Sequence, residues 1–190
     1  MEDLCRCPWV DLSKPDYIRY HDQEWGVPVR DDRTQFEFLL LESAQAGLSW
    51  YTVLRKRENY RQAFMDFDPL LVAGFGEKEL ERMLQNAGLI RNRAKLKAAI
   101  SNARQFLTIQ EEFGSFCAYI WRFVDGVPKC NAPRNAAEIP VTSKESDALS
   151  KDLKQRGFTF VGPTIIYAHM QATGLVNDHT LDCFRCAELM

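Results

Sequence analysis

Residues 36–50 read FEFLLLESAQAGLSW, and their apolar positions do not keep to one side. Phe36, Phe38, Leu39, Leu40 and Leu41 cover almost every direction around a helix, which predicts a helix buried on most sides. It runs from about residue 32 to 45 and stops at Gly47. Elsewhere apolar residues recur at three- and four-residue spacing. Val53, Leu54, Tyr60 and Phe64 mark a second helix in YTVLRKRENYRQAFMDF, and EKELERMLQNAG is amphipathic up to Gly88. The longest predicted helix, RNRAKLKAAISNARQFLTIQEEF, carries Leu96, Ala99, Ile100, Ala103 and Leu107 on one stripe. Pro15 starts a turn in which Tyr17, Tyr20 and His21 share a face, and Asp68-Pro69 starts another short piece. FGSFCAYIWRFV is a further, very apolar helix. Ser143 opens SKESDALSKDLKQRG with half a capping box, since Ser146 stands where Glu or Gln is usual. FTFVG is extended, and Pro163 opens PTIIYAHMQATG. Residues 127–142, with three prolines and no periodicity, read as loop. With no alternating strand and no internal repeat, the chain reads as all-α, built of many short helices.

Composition narrows this further. A chain of 190 residues supports a sizeable core, as one domain or two interleaved lobes. The formal net charge of −2 means that any nucleic-acid contact must come from a local basic face. Six cysteines are too few and too unevenly placed for a disulfide scaffold. No signal-peptide pattern and no apolar run long enough to span a bilayer are seen, so a soluble protein in a reducing, cytoplasmic setting is expected.

Three groups of residues could carry chemistry. Glu42 follows the apolar run directly, and a lone carboxylate there is costly to bury unless something needs it. The next turn offers Gln45, Gly47 and Trp50, so one acid, one amide and one indole could share a pocket, although on that helix alone an ordinary surface Glu paired with Lys or Arg is the simpler explanation. Trp9, Tyr17, Tyr20, Trp25 and Trp50 gather in sequence around Glu42; many such aromatics are core, yet aromatic faces with one acid suit a flat cationic heterocycle. The second group lies at the two ends: Cys7 and His21, then His179 and Cys183 four residues apart, as on one helical turn. Cys₂His₂ is a tetrahedral zinc set, structural because no position stays open, and it would tie the termini together. Free thiols and ordinary histidines are the alternative, with Cys5 and Cys186 as substitute ligands. Third, Gly88, Leu89 and Ile90 join two helices, the second opening with Arg91, Arg93, Lys95 and Lys97. Backbone N–H groups at such a turn suit phosphate, although the turn has one glycine where the usual helix-hairpin-helix has two.

YHDQEWGVP, LESAQAGLSWYTVLRKRENYRQAF, QNAGLIRNRAKL, KQRGFTFVGPT and GLVNDH occur together and in order. Through them the chain, from residue 7 to 183, resembles the 3-methyladenine DNA glycosylase I family of bacterial alkylation-repair enzymes, within the helix-hairpin-helix superfamily. Residues 129–137 and the tail after Cys183 match nothing in that pattern. The resemblance implies a single, compact helix-hairpin-helix glycosylase unit of two interleaved lobes. Its hairpin would span about residues 77–107, with zinc-tied ends at 5–25 and 177–186. It implies hydrolysis of the N-glycosidic bond of 3-methyladenine, and weakly of 3-methylguanine, in double-stranded alkylated DNA after nucleotide flipping. Free 3-methyladenine would be the product and a monomer the working form.

By the same resemblance, one structural Zn²⁺ per chain falls on Cys7, His21, His179 and Cys183. The base-binding set falls on Tyr17, Tyr20 and Trp50, with Trp25 and Trp9 lining or supporting it. Glu42 is the candidate catalytic-site acid, cast as a base-recognition group rather than a water activator, because an N3-methylated adenine already leaves readily. The family lacks both the aspartate most such glycosylases place beyond the hairpin and the Schiff-base lysine of bifunctional members. DNA contacts are expected at Gly88, Leu89, Ile90, Arg91 and Arg93, with Lys154, Arg156 and Gly162-Pro163-Thr164 secondary. Leu48 beside Gly47 is the candidate wedge, or else a core residue. Two other functions stay open: a zinc-tied DNA-binding module without catalysis, and a hydrolase of free cationic nucleosides.

Overall fold

The computed structural model describes residues 4–190, and these are mostly helical. Helix α1 spans Pro15–Gln23, α2 Asp32–Gln45, α3 Trp50–Leu54, α4 Arg57–Ala63, α5 Pro69–Ala73 and α6 Glu77–Gln85. The long α7 spans Arg93–Phe113 and is followed by α8 (Phe116–Ile120), α9 (Lys144–Gln155), α10 (Pro163–Ala172) and α11 (Phe184–Glu188).

Helix α2 sits where two apolar clusters meet, which explains its all-round hydrophobicity. Every residue from 35 to 44 is buried. Phe36, Leu39, Leu40 and Leu41 enter the larger cluster with Phe64, Phe106, Phe116 and Tyr167. Phe38 enters the smaller one with Cys7, Tyr20, Trp25 and Cys183, and Trp50 packs against both. Asp31 caps α2 through the Thr34 N–H. The neighbouring Asp32 caps α8 across the fold, accepting from the Phe116 and Cys117 N–H groups at 2.8 Å each.

The structure departs from the sequence expectations at several joints. The helix expected from residue 51 to 67 is three pieces: α3, α4 and a 3₁₀ turn at Met65–Phe67 whose residues all have φ between 51° and 55°. That left-handed turn buries both Phe64 and Phe67 and sends Asp66 out to Arg33 and Arg61. Gly114, at φ +82°, ends α7, so the apolar segment restarts at the Ser115 cap. The α7 stripe turns onto Phe106 and Ile109, leaving Leu107 half-buried. The Ser143–Ser146 pair closes a complete capping box, each side chain accepting the other's N–H. The expected loop 127–142 contains Lys129–Cys130, a strand that pairs in parallel with Val176–Asn177, and a 3₁₀ turn at Ala136–Glu138. Among the described residues no helix is long and apolar enough to cross a membrane.

Candidate functional site: an aromatic cavity beside a four-ligand cluster

A cavity of about 220 Å³ opens where α1, α2, α3 and α10 meet. Its walls are Trp9, Tyr17, Tyr20, Trp25, Trp50, Glu42 and Gln45, all expected from sequence, joined by Ile139, Ala168 and Gln171. Pro15 starts α1 and sets the phase that puts Tyr17 and Tyr20 on the cavity side. The rings hold one another: Trp9 meets Trp25 edge-on at 4.9 Å and Tyr17 at 5.2 Å, and Tyr20 lies 5.2 Å from Trp50. Such interlocked rings form a preshaped slot for a flat ligand.

Two acids on α2 are buried, and they differ in kind. Glu37 is paired, accepting from Arg57 Nε at 2.7 Å and from Arg61 at 2.8 Å. Glu42, 3% exposed, has no cation beside it among the described residues, and its Oε2 has no hydrogen-bond partner there. Burial alone pushes its carboxyl up to about 8. The arginine pairing expected of an ordinary Glu is found at Glu37, itself buried, and is missing at Glu42. Few buried polar side-chain atoms lack a partner among the described residues, and three of the five belong to this cavity: Trp9 Nε1, Trp50 Nε1 and Glu42 Oε2. A native fold seldom keeps such groups unpaired without use. Burial and the nearby Glu42 raise the Tyr20 phenol, and burial raises Tyr17, so both stay protonated.

Directly behind α1 lies the cysteine–histidine cluster. Cys7, His21, His179 and Cys183 are all buried, with their ligand atoms within 4.8 Å of one another. Cys7 Sγ and Cys183 Sγ each lie 3.4 Å from His179 Nδ1, and Cys183 Sγ lies 3.5 Å from His21 Nε2. A tetrahedral site with Zn–S of about 2.3 Å and Zn–N of about 2.0 Å has S···N edges of about 3.5 Å. Both distal ring nitrogens are taken, His21 Nδ1 by Asp22 at 2.7 Å and His179 Nε2 by the Trp25 carbonyl at 3.0 Å. That arrangement turns the other nitrogen of each ring inward, as metal-binding histidines require. The cluster could hold one metal ion. Its second half is not a helical turn as expected: His179 lies outside any helix or strand and Cys183 is the N-cap of α11. The parallel strand pair and the reversal after Thr180 bring the ligands together instead. Cys5 is exposed against Asp182, and Cys186 is buried outside the cluster.

The turn expected to form the hairpin leaves fewer backbone groups free than the sequence suggests. Helices α6 and α7 are joined by residues 86–92. Leu89 is buried, so its side chain is core. The Gly88 N–H is taken by Asn86 Oδ1, the Leu89 N–H by the Asn86 carbonyl and the Ile90 N–H by Tyr60 Oη. Arg93 pairs with Glu77 and Glu81 of α6. Arg91 stays exposed at the turn, beside the first N–H groups of α7. Arg156 is engaged by Glu112 and Asp152 at the far end of α7, about 28 Å along the helix from its start. Leu48 is 40% exposed at the turn between α2 and α3, so it is not a core residue.

The model of the family described as methyladenine glycosylase matches residues 9–186. The chain belongs to this family. It is 52% identical to DNA-3-methyladenine glycosylase 1 of Escherichia coli (strain K12), over 94% of this chain and 95% of that one. It superposes on a crystal structure of 3-methyladenine DNA glycosylase I with TM-score 0.92 and 53% identity, covering 95% of this chain and 98% of that one. A Staphylococcus aureus 3-methyladenine DNA glycosylase I, whose structure describes 3-methyladenine recognition, matches at TM-score 0.88 and 38% identity over 90% of this chain and 91% of that one. Three lining residues of this methyladenine glycosylase were missed from sequence. Ala168 and Gln171 sit on α10, whose apolar composition reads as core, and Ile139 lies in the loop that showed no pattern.

Proposed function

We infer that this chain removes 3-methyladenine from alkylated DNA by hydrolysing the bond between the base and its sugar. The observation that carries this reading is the unpaired, buried carboxyl of Glu42 on the wall of a tryptophan- and tyrosine-lined cavity. Methylation at N3 makes the adenine ring cationic. When the C1′–N9 bond breaks, its electron pair moves into the ring and quenches that charge, so the base leaves neutral. Water then adds to C1′ and releases a proton. No strong general acid is needed, unlike sugar hydrolases with a poor leaving group. The chain supplies the flipped-out binding state: Tyr17, Tyr20 and Trp50 stack on the ring, Trp9 and Trp25 back them, and Glu42 accepts from the polar edge of the base. A cation in the slot lowers the cost of ionising Glu42, the reverse of what burial does in the empty cavity.

Extrusion costs a few kcal/mol of stacking and pairing. Leu48, exposed at the turn next to the cavity, would fill the vacated stack. Arg91 and the first amides of α7 would hold a phosphate of the double strand, and Arg93 would have to exchange Glu77 and Glu81 for one. Weak removal of 3-methylguanine, a strictly hydrolytic course without a Schiff base, a monomeric state and a cytoplasmic location complete the proposal. We assign the Cys7, His21, His179 and Cys183 cluster to one structural Zn²⁺, which would cross-link the two ends of the chain behind α1 and supply no chemistry. Purified protein should carry one zinc per chain, and Cys183→Ala should lose it together with several degrees of Tm.

The deciding experiment is release of free base from methylated duplex DNA, separated by chromatography, for wild type and Glu42→Ala. Release of 3-methyladenine by the wild type, sharply reduced in the variant, is expected. Equal release by both would move recognition away from Glu42. No release by folded, metal-loaded wild type would leave a DNA-binding module, and release only from free nucleoside would make it a small-molecule hydrolase.

A further inference from the structure

The end of α2 has an unusual cap. Its last turn contains no basic residue, and no backbone N–H of the C-cap residue closes it. Two of its terminal carbonyls are instead taken from another element. The Lys95 ammonium, from the first turn of α7, donates to the Ala44 carbonyl at 2.9 Å and the Ala46 carbonyl at 2.5 Å. Lys95 is half-buried and its burial lowers its pKa, with no carboxylate in contact. A cation at a helix C-terminus is favoured by the helix dipole, and charge-assisted bonds to carbonyls are strong. The two carbonyls flank Gln45, which lines the cavity, and they precede Gly47 and Leu48 directly. Gly47 has φ +78°, and a Cβ there would meet nothing within 4 Å, so no side chain packs on the inside of the turn. The Leu48 N–H bonds back to the Gln45 carbonyl at 2.6 Å, and Lys95 holds the next residue along.

We propose that Lys95 is a positioning residue that ties the α6–α7 hairpin to the Gln45–Leu48 turn, and that it is not a phosphate ligand. The proposal rests on the glycosylase function argued above. Docking of the hairpin on the DNA backbone then sets the place of the turn that must enter the base stack, through one ammonium and two carbonyls. By sequence Lys95 belongs to a basic run with Arg91, Arg93 and Lys97, where each would be counted as a DNA contact. The structure separates them: Arg91 and Lys97 are exposed, Arg93 is ion-paired, and Lys95 points back into the protein.

The first test uses unaltered protein. Limiting acetic anhydride, read by peptide mass spectrometry, should label exposed Lys97 readily and Lys95 slowly, with or without duplex bearing a tetrahydrofuran abasic analogue. Lys95 labelling as fast as Lys97 in free protein, and protected only by the duplex, would overturn the proposal. The second test compares wild type, Lys95→Met and Lys95→Arg. Lys95→Met should keep the wild-type salt dependence of duplex binding and hold free 3-methyladenine within about threefold. Its single-turnover base release at saturating DNA should fall by roughly tenfold or more, with 2-aminopurine fluorescence beside the lesion reporting less flipping. Lys95→Arg, which keeps the donors, should recover most of the rate. A salt slope shallower by about 0.9 with an unchanged single-turnover rate would make Lys95 a phosphate ligand. An unchanged slope with an unchanged rate would equally sink the positioning role. If Lys95→Met does not fold, the labelling pattern of the wild type still decides. Wild type that releases no base would instead refute the glycosylase function, and would leave the labelling result standing.

Discussion

Replacing Glu42 by Gln should make the protein more stable, and more so as the pH rises. Glu42 is wholly buried, has no cation near it, and its carboxyl is pushed from 4.5 up to about 8. For an acid raised on folding, the unfolded chain ionises first, so the penalty is absent below the unfolded value and grows until the folded value is passed. Every tenfold weakening of the acid on folding corresponds to about 1.4 kcal/mol. The gap between 4.5 and about 8 gives a plateau of ~5 kcal/mol above pH 8, ~3 kcal/mol at pH 7 and under ~1 kcal/mol at pH 5. These are upper values, since local relaxation lets water reach the group as it ionises. Gln removes the titration and keeps the shape. Any constant cost of burying its amide shifts the whole curve without changing its slope. Urea denaturation of both proteins at pH 5, 7 and 8.5 measures the difference. It should widen by ~1 kcal/mol per pH unit between 5 and 8. Parallel stability curves over that range would refute the reasoning, because they would mean that Glu42 ionises in the native protein as easily as in the unfolded one. The same variant should lose base release, so that stability rises as activity falls. A carboxyl kept uncompensated in the empty cavity and used only by the ligand predicts that opposition.

Other outcomes follow from single features of the structure. His169 is fully buried with Nδ1 unpartnered, and burial lowers its pKa from 6.5 to about 3. The unfolded chain therefore takes up a proton first as pH falls below about 6.5, and stability declines from there toward pH 3. His169→Phe should flatten that decline in thermal melts at pH 4.5 and 7, whatever constant cost it adds by leaving Gln35 Oε1 without its donor. A Cβ on Gly174, at φ +69°, would stand 2.4 Å from the backbone of Val27 and Pro28, so Gly174→Ala should cost more than ~3 kcal/mol and yield little soluble protein. Leu48→Ala removes an exposed side chain, so Tm should hold within a degree or two while single-turnover base release drops; an unchanged rate would take the wedge role from Leu48.

What the sequence reveals and what it hides divide along a physical line. The side chains of the cavity and the cysteine–histidine cluster are legible because each is chemically out of place: an acid in an apolar run, aromatics crowded around it, thiols and imidazoles at both ends. All seven expected cavity residues converge, and so do the two cysteines and two histidines from the ends. The helix α2 is read to its residues because its all-round hydrophobicity demands two cores, and two cores are present. The errors gather where backbone groups choose partners. A basic run and a glycine suggest a hairpin that offers its amides to phosphate, yet Asn86 and Tyr60 take three of those amides. Periodicity cannot show this, because any polar atom within reach will satisfy a backbone N–H. Nor does it show that one lysine of that run turns inward. Ala44 and Ala46 offer it only carbonyls, which every residue has, so nothing in their identity marks them as its partners. Gln171 is hidden for a related reason. Its amide donates to Asp178, itself held by Tyr167 and Asn131, and that buried network sets its place on the cavity wall. Functional groups held by other side chains leave a trace in composition and spacing; those held by the main chain, or by a partner far along it, emerge only when the chain is folded.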